Sequence, residues 1–214
     1  MKKITLSLII VLISIGAFSQ YQAGNILLSG TLILGSSQDE TSGNGATYKG
    51  PKTTKLEIGP GIEYFLTDKL AIGGEIDYSI EKEVDEDPGG GVDKTIDKSS
   101  MTTILPFASM YFINHDRFAL FCKLVVGFGF GKNVNEVIGN GITVSDEDAL
   151  STFEIGLKPG ISVHLTEKFG MTATIGAIGY RSHKTDSGNN EYKRNEYGLE
   201  LTPSLGFGIY FKLR

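Results

Sequence analysis

The sequence predicts an all-β fold, an eight-stranded antiparallel up-and-down transmembrane β-barrel, on three observations. A proline-marked segment recurs four times. The strands alternate apolar residues with glycine or charge. Short polar turns alternate with long polar stretches. A fixed recurring unit is the first sign of a repeated architecture, and short turns alternating with long connections are the layout of a membrane barrel.

The chain has 214 residues, which suits one domain. It carries 28 glycines, about 13% where roughly 7% is usual. It has 12 Phe and 9 Tyr but no Trp. Much glycine with many aromatics and no collagen period favours strands and tight bends over helices. The net charge is −5. Loss of Lys2 and Lys3 with the leader would leave about −7, which excludes a nucleic-acid binder, since that function needs a basic face. Cys122 is the one cysteine, so no intrachain disulfide can form.

Residues 1–19 read as a signal peptide. Lys2 and Lys3 form a basic start, Ile4 to Phe18 is an apolar run, and Ala17 and Ser19 form a small-x-small cleavage site. The run is short for a membrane-spanning helix, which needs about 20 apolar residues. No cysteine follows it, which excludes a lipoprotein anchor. Residues 20–214 are then the barrel domain. No other stretch is apolar enough for a spanning helix, so membrane insertion requires a closed barrel, the other structure that satisfies every backbone group in lipid.

The repeat is carried by the segments 58–66, 104–113, 157–165 and 201–211, each with a proline before an apolar or aromatic end: Pro60, Pro106, Pro159 and Pro203. Polar turns follow the first three, at Thr67-Asp68-Lys69, Asn114-His115-Asp116-Arg117 and Thr166-Glu167-Lys168. A new apolar run starts at once after each, at Leu70, Phe118 and Phe169. That is a tight hairpin, three times. Between hairpins lie stretches rich in Gly, Ser, Asn and Asp, read as solvated loops at 37–51, 82–99, 132–149 and 182–195. One early strand from Asn25 to Gly35, three hairpins and a last strand make eight, an even number as such barrels require.

Alternation assigns the faces, because successive strand side chains point opposite ways. In the third strand Leu70, Ile72, Ile76, Tyr78 and Ile80 oppose Gly73, Glu75, Asp77, Ser79 and Glu81. The fifth sets Phe118, Leu120, Cys122, Leu124, Val126, Phe128 and Phe130 against Lys123, Gly127, Gly129 and Gly131. The sixth sets Phe153, Ile155, Leu157, Ile161 and Val163 against Glu154, Gly156, Lys158, Gly160, Ser162 and His164. In the last, Leu205, Phe207, Ile209, Phe211 and Leu213 share a face. The fourth and seventh strands alternate poorly.

Three features place the apolar face outside. The strands are read as 10–14 residues, longer than in soluble sheets and enough to span lipid. Glycines crowd the charged face, where a narrow interior needs small residues. Aromatics form two bands, read as interfacial girdles. Tyr64, Phe65, Tyr111, Phe112, Phe118, Phe169, Tyr210 and Phe211 lie beside the turns. Tyr78, Phe128, Phe130, Phe153, Tyr180 and Tyr197 lie towards the loops.

The export signal, the Pro-x-x-x-x-Tyr/Phe strand before a Thr-Asp/Glu-Lys turn and the alternating aromatic last strand resemble the outer-membrane β-barrel domain family of small PorT-like and OmpA/OmpX-type barrels. The likeness spans about residues 20–214, and its motifs form a pattern rather than a fixed string. The chain ends Phe211-Lys-Leu-Arg214 instead of in the terminal phenylalanine many barrels carry. The resemblance implies a small outer-membrane barrel and fixes no catalytic residues.

An eight-stranded barrel is just wide enough for side chains to fill. The expected interior carries Glu57, Glu63, Glu75, Asp77, Glu154 and Glu200 with Lys123, Lys158 and Lys212, read as a structural salt-bridge network. His164 with Ser162 is the nearest approach to a hydrolytic pair; His115 falls in a turn and His183 in a loop. The acidic runs Asp85-Glu86-Asp87 and Asp146-Glu147-Asp148 lack the spacing of a calcium loop and read as solvated charge. Gly127-x-Gly129-x-Gly131 opens no helix, so it reads as lumen packing and not as a phosphate loop.

The expected function is therefore a structural or interaction role, displaying extracellular loops from a filled barrel, without enzymatic activity, cofactor or metal. Outer-membrane lipid surrounds the wall, and envelope or extracellular proteins meet the four loops of a monomer. An outer-membrane lipid-modifying enzyme and a secreted, soluble lipocalin-like binder of an apolar ligand are the alternatives.

Overall fold

The structure is a computed structural model that describes residues 21–43, 46–86, 92–174, 176–188, 190–200 and 206–213. The signal-peptide reading at 1–19 and the fourth proline segment around Pro203 lie outside these residues. Ten strand segments follow one another: β1 (Ile26–Gly43), β2 (Ala46–Phe65), β3 (Leu70–Asp85), β4 (Lys94–Asn114), β5 (Phe118–Gly139), β6 (Ile142–His164), β7 (Phe169–Thr174), β8 (Ala177–Ser187), β9 (Asn190–Glu200) and β10 (Gly206–Lys212).

They form eight staves. β1 to β6 pair antiparallel, each with the next. Both β7 and β8 pair with β6, β10 pairs with β7, and β9 pairs with β8. So β7 with β8 is the seventh stave and β9 with β10 the eighth. The ring closes between β1 and β10, from Leu27↔Lys212 to Thr31↔Gly208. The up-and-down barrel expected from the repeat is thus present, with its last two staves each in two pieces. Gly176, at φ 63, stands at the break in the seventh.

The first and third of the short turns close alike. Thr67 Oγ1 accepts from the backbone N–H of Lys69 and Leu70, at 3.2 and 3.0 Å. Thr166 Oγ1 accepts from Lys168 and Phe169 at 3.3 and 3.0 Å. A threonine hydroxyl that folds back on the chain is a local turn device, and it explains why the repeat carries Thr there. The middle turn instead closes by a bond from the His115 N–H to the Phe118 carbonyl, 2.9 Å.

The prolines mark a second feature of the repeat. Pro60 pairs with Gly30 on the preceding strand, yet the β2–β3 register passes over Gly59 and Pro60. Pro106 pairs with Gly74, and the β4–β5 register passes over Leu105 and Pro106. Pro159 pairs with Cys122, while β6 pairs β8 only as far as Leu157 and β7 only from Gly160. A proline has no N–H to donate. Each of the three therefore interrupts the ladder towards the following strand, at one level of the barrel.

Two expectations are corrected. The strands run well beyond 10–14 residues: β3 to β6 have 16, 21, 22 and 23. The stretches 37–51, 82–99, 132–149 and 182–195 are largely paired strand, not loops. They form ribbons rising past the apolar wall. Both faces of a ribbon are wet, so polar residues suit either face and alternation vanishes from the sequence. Asn140 (φ 52) and Gly141 (φ 74) make the two-residue turn between Gly139 and Ile142, with the left-handed backbone that favours Asn-Gly in such hairpins.

Candidate functional site: a plugged lumen beneath polar ribbons

The outward face is the apolar one along every stave whose side chains are described. Leu28, Ile62, Ile72, Ile104, Leu124, Phe128, Ile155 and Ile209 all stand exposed on it, Leu124 by 47%. Of the aromatics read as girdles, Tyr64, Phe112, Phe169 and Phe211 are exposed at the turn end, and Tyr78, Phe128, Phe130, Phe153 and Tyr197 at the ribbon end. Phe118 and Tyr180 are half-buried, and the Tyr210 side chain is outside the described residues.

Phe65 and Tyr111 are corrections: they point inward. Phe65 follows Tyr64 directly, so period two puts one of them inside. Both belong to the core at the turn end, together with Leu27, Ala71, Ala119 and Phe121. Tyr21 completes it from the segment before β1, fully buried. Its ring stacks on Phe65 at 4.7 Å and meets Tyr111 at 5.0 Å and His164 at 4.8 Å. Such pairs contribute about 0.5–1.5 kcal/mol each beyond burial. The Tyr21 hydroxyl lies 3.0 Å from Ser162 Oγ.

The chain around Tyr21 is fastened to the turns. Asn114 Nδ2 donates to the carbonyls of Tyr21 and Asp68, both at 3.0 Å. Asp68 Oδ1 accepts from the Ala23 N–H at 3.0 Å, and the Gly24 N–H donates to the Phe65 carbonyl at 2.8 Å. The segment before β1 thereby caps the turn end of the lumen. Nothing in the sequence pattern marks this, because Tyr21 precedes any strand and its partner Ser162 is 141 residues away.

Above the plug lies the charged layer foreseen from alternation. Glu154 accepts from Lys158 at 3.0 Å and from Arg181 Nε and Nη2 at 3.2 and 3.0 Å. Arg181 was absent from the expected set because the seventh strand alternates poorly. Glu63, almost fully buried, accepts from the Tyr111 hydroxyl at 3.1 Å. Glu57 pairs with Lys55 at 3.1 Å. Lys123 Nζ sits 4.2 Å from the Phe107 ring centroid, a cation–π contact in place of an ion pair. Glu75, Asp77 and Lys212 are half-buried, and the Glu200 side chain is outside the described residues.

The inward glycines are there for room. A Cβ on Gly127 would stand 2.5 Å from Glu154 Cγ, and one on Gly129 would stand 2.5 Å from Thr152 Oγ1. Lumen packing thus accounts for Gly127 and Gly129, while at Gly131 a Cβ would run into the β4 backbone at Ser100. Gly156, Gly179 and Gly198 lie side by side across β6, β8 and β9. They floor a hollow of about 230 Å³, rimmed by Glu154, Lys158, Arg181 and Glu196.

Ser162 and His164 are brought together, but inside the plug. Ser162 is fully buried against Tyr21, and His164 packs edge-on to the same ring. His115 stacks on Phe118 at 5.6 Å and is buried close enough to His164 to act on it electrostatically, while His183 approaches Glu196 at 4.0 Å and stands apart from them. Of the acidic runs, Glu147 pairs with Lys132 at 3.1 Å and Asp148 accepts from the Ser187 hydroxyl. Asp87 is outside the described residues. Among the described residues no His, Cys, Asp or Glu cluster is arranged to hold a metal ion.

Neither a protein-family model nor a curated protein matches the sequence. Solved structures similar to the chain include the outer membrane protein OprG from Pseudomonas aeruginosa, at 15% identity and TM-score 0.45, covering 91% of this chain and 99% of that one. The attachment invasion locus protein Ail of Yersinia pestis is similar at 10% identity and TM-score 0.37, over 90% of this chain and 100% of that one. Neisserial surface protein A is similar at 15% identity and TM-score 0.36, over 89% and 98%. With TM-scores below 0.5, these likenesses do not bear on what the chain does; its own strand pairings define the ring.

Proposed function

We propose that the protein is a small outer-membrane β-barrel with a structural or interaction role, which carries its polar ribbons on the cell surface. The observation that carries this reading is the inside-out wall: a closed ring whose large apolar side chains face outward while Glu154, Lys158 and Arg181 pair inside. A soluble barrel keeps its apolar side chains inside, and a membrane barrel inverts that arrangement. The short threonine turns then face the periplasm and the ribbons the exterior.

The filled lumen favours anchoring and display over diffusion through the barrel. Plug and ion-pair layer occupy successive levels, as expected at this strand number. The buried Ser162 and His164, held by Tyr21 within the plug, have no route to a lipid ester, which favours a non-enzymatic role. The lipocalin-like alternative loses its ground because the apolar residues it would offer a ligand are outside.

Cell fractionation with gel migration before and after boiling tests the reading. The protein is expected in the outer-membrane fraction, running as a compact band that shifts on heating. Recovery in the soluble periplasmic or culture fraction without detergent would overturn it.

A further inference from the structure

We propose that the outer edge of β6, residues 142–147, accepts an extended basic polypeptide segment as an added strand. The proposal rests on the preceding reading only in placing this edge outside the cell. Its carrying observation is local: from Ile142 to Glu147 β6 pairs with β5 on one side, while β8 joins on the other side only at Ala149. Every residue of this stretch is exposed, whereas the facing residues Val134–Ile138 of β5, flanked on both sides, are all half-buried. A bare edge presents a row of backbone donors and acceptors, which is the template an extended peptide uses. The Glu147 N–H is held by Asp146 Oδ1 at 3.0 Å, so the groups open to a new strand lie from Ile142 to Asp146.

Side chains narrow the partner. Ile142 and Val144, 65% and 62% exposed, share the ribbon's inner face with Asp146 and Asp148. Next to them across the sheet, Asp146 lies opposite Asn135, Asn135 opposite Asp97, and Asp97 opposite Glu83. No Lys or Arg stands on the inner face of β3 to β6 above Met101. A matching strand therefore offers basic residues beside Asp146–Asp148 and apolar ones beside Ile142 and Val144.

A second copy fits poorly. In an antiparallel pairing centred on Ser145, Asp146 would face Val144 and Asp148 would face Ile142. In a parallel pairing acid would face acid, which is unfavourable for directly opposed residues.

The test uses the full chain folded in detergent and a fluorescent heptapeptide of three lysines followed by alternating threonine and valine. Anisotropy is expected to show saturable binding that weakens on raising the salt from about 50 to about 300 mM. Asp146→Lys/Glu147→Lys/Asp148→Lys is expected to weaken it about tenfold or more, and so is methylation of alternate peptide nitrogens, which removes strand donors but no charge. Retention of the heat-dependent band shift confirms that the variant is folded.

Absence of binding overturns the proposal. So does equal binding of the methylated peptide, which means attraction without strand pairing, or an unaffected charge variant, which means another site. A soluble location for the protein would overturn the membrane reading while leaving these binding results standing.

Discussion

Replacing Tyr21 tests whether the segment before β1 is part of the fold or merely precedes it. In Tyr21→Ala a fully buried ring is lost from contact with Phe65, Tyr111 and His164. Aromatic-to-alanine changes in a packed core cost about 3–5 kcal/mol. Tyr21→Phe keeps the ring and leaves the buried Ser162 hydroxyl without its partner at 3.0 Å, a loss of about 1–3 kcal/mol. The gap between the two variants, about 2 kcal/mol, then reports ring packing alone. Urea titration of the detergent-folded protein measures both, followed by far-ultraviolet circular dichroism because the chain has no Trp. A Tyr21→Ala value within about 0.5 kcal/mol of the unaltered protein refutes the plug, since that is the size of a surface change.

Three further outcomes follow from the wall and the lumen. Gly73→Ala is expected to cost about 1–3 kcal/mol or more in the same titration, because its Cβ would press on the Ile62 carbonyl and stand 2.6 Å from the Phe107 ring. Gly30→Ala, with nothing within 4 Å, is the matched control and is expected near zero. Glu154→Ala strips the shared partner from Lys158 and Arg181, and is expected to cost about 3–5 kcal/mol, while a value near zero would mean water already screens the layer. Leu124→Arg, on the outer wall, is expected to cost about 2–4 kcal/mol for folding into bilayers, against about 0–1 for Thr143→Arg on the ribbon. Equal costs for those two would contradict a lipid-facing wall.

The wall was legible because its signal is local. Leu70 to Ile80 and Phe118 to Phe130 alternate along a single strand, and the Thr-x-Lys turns carry their own closing hydroxyl. What the pattern hid depends on water and on distance. Above the wall both sheet faces are solvated, so residues 132–149 show no alternation although they pair residue by residue. Asn140-Gly141 was the available hairpin signal there, obscured by the polar residues around it. Tyr64-Phe65 looked like one girdle because proximity to a turn outweighed period two. Arg181 was missed on a stave broken near Gly176. The Tyr21–Ser162 contact joins the segment before β1 to the end of β6, 141 residues on, and no window of sequence contains both.

The central claim, an outer-membrane barrel with ribbons outside and turns inside, is tested most directly by labelling intact cells with a membrane-impermeant maleimide. In a Cys122→Ser background, single cysteines are placed at Ser145 on the β6 ribbon and at Glu167 in the last threonine turn, both exposed. Labelling suits paired ribbons better than proteolysis, which needs an extended chain free of its neighbour. The account predicts reaction at position 145 in whole cells, and at 167 only after the outer membrane is opened. Reaction at 167 in whole cells with 145 protected would contradict the orientation, and equal reaction at both in a detergent-free soluble fraction would contradict the membrane barrel itself.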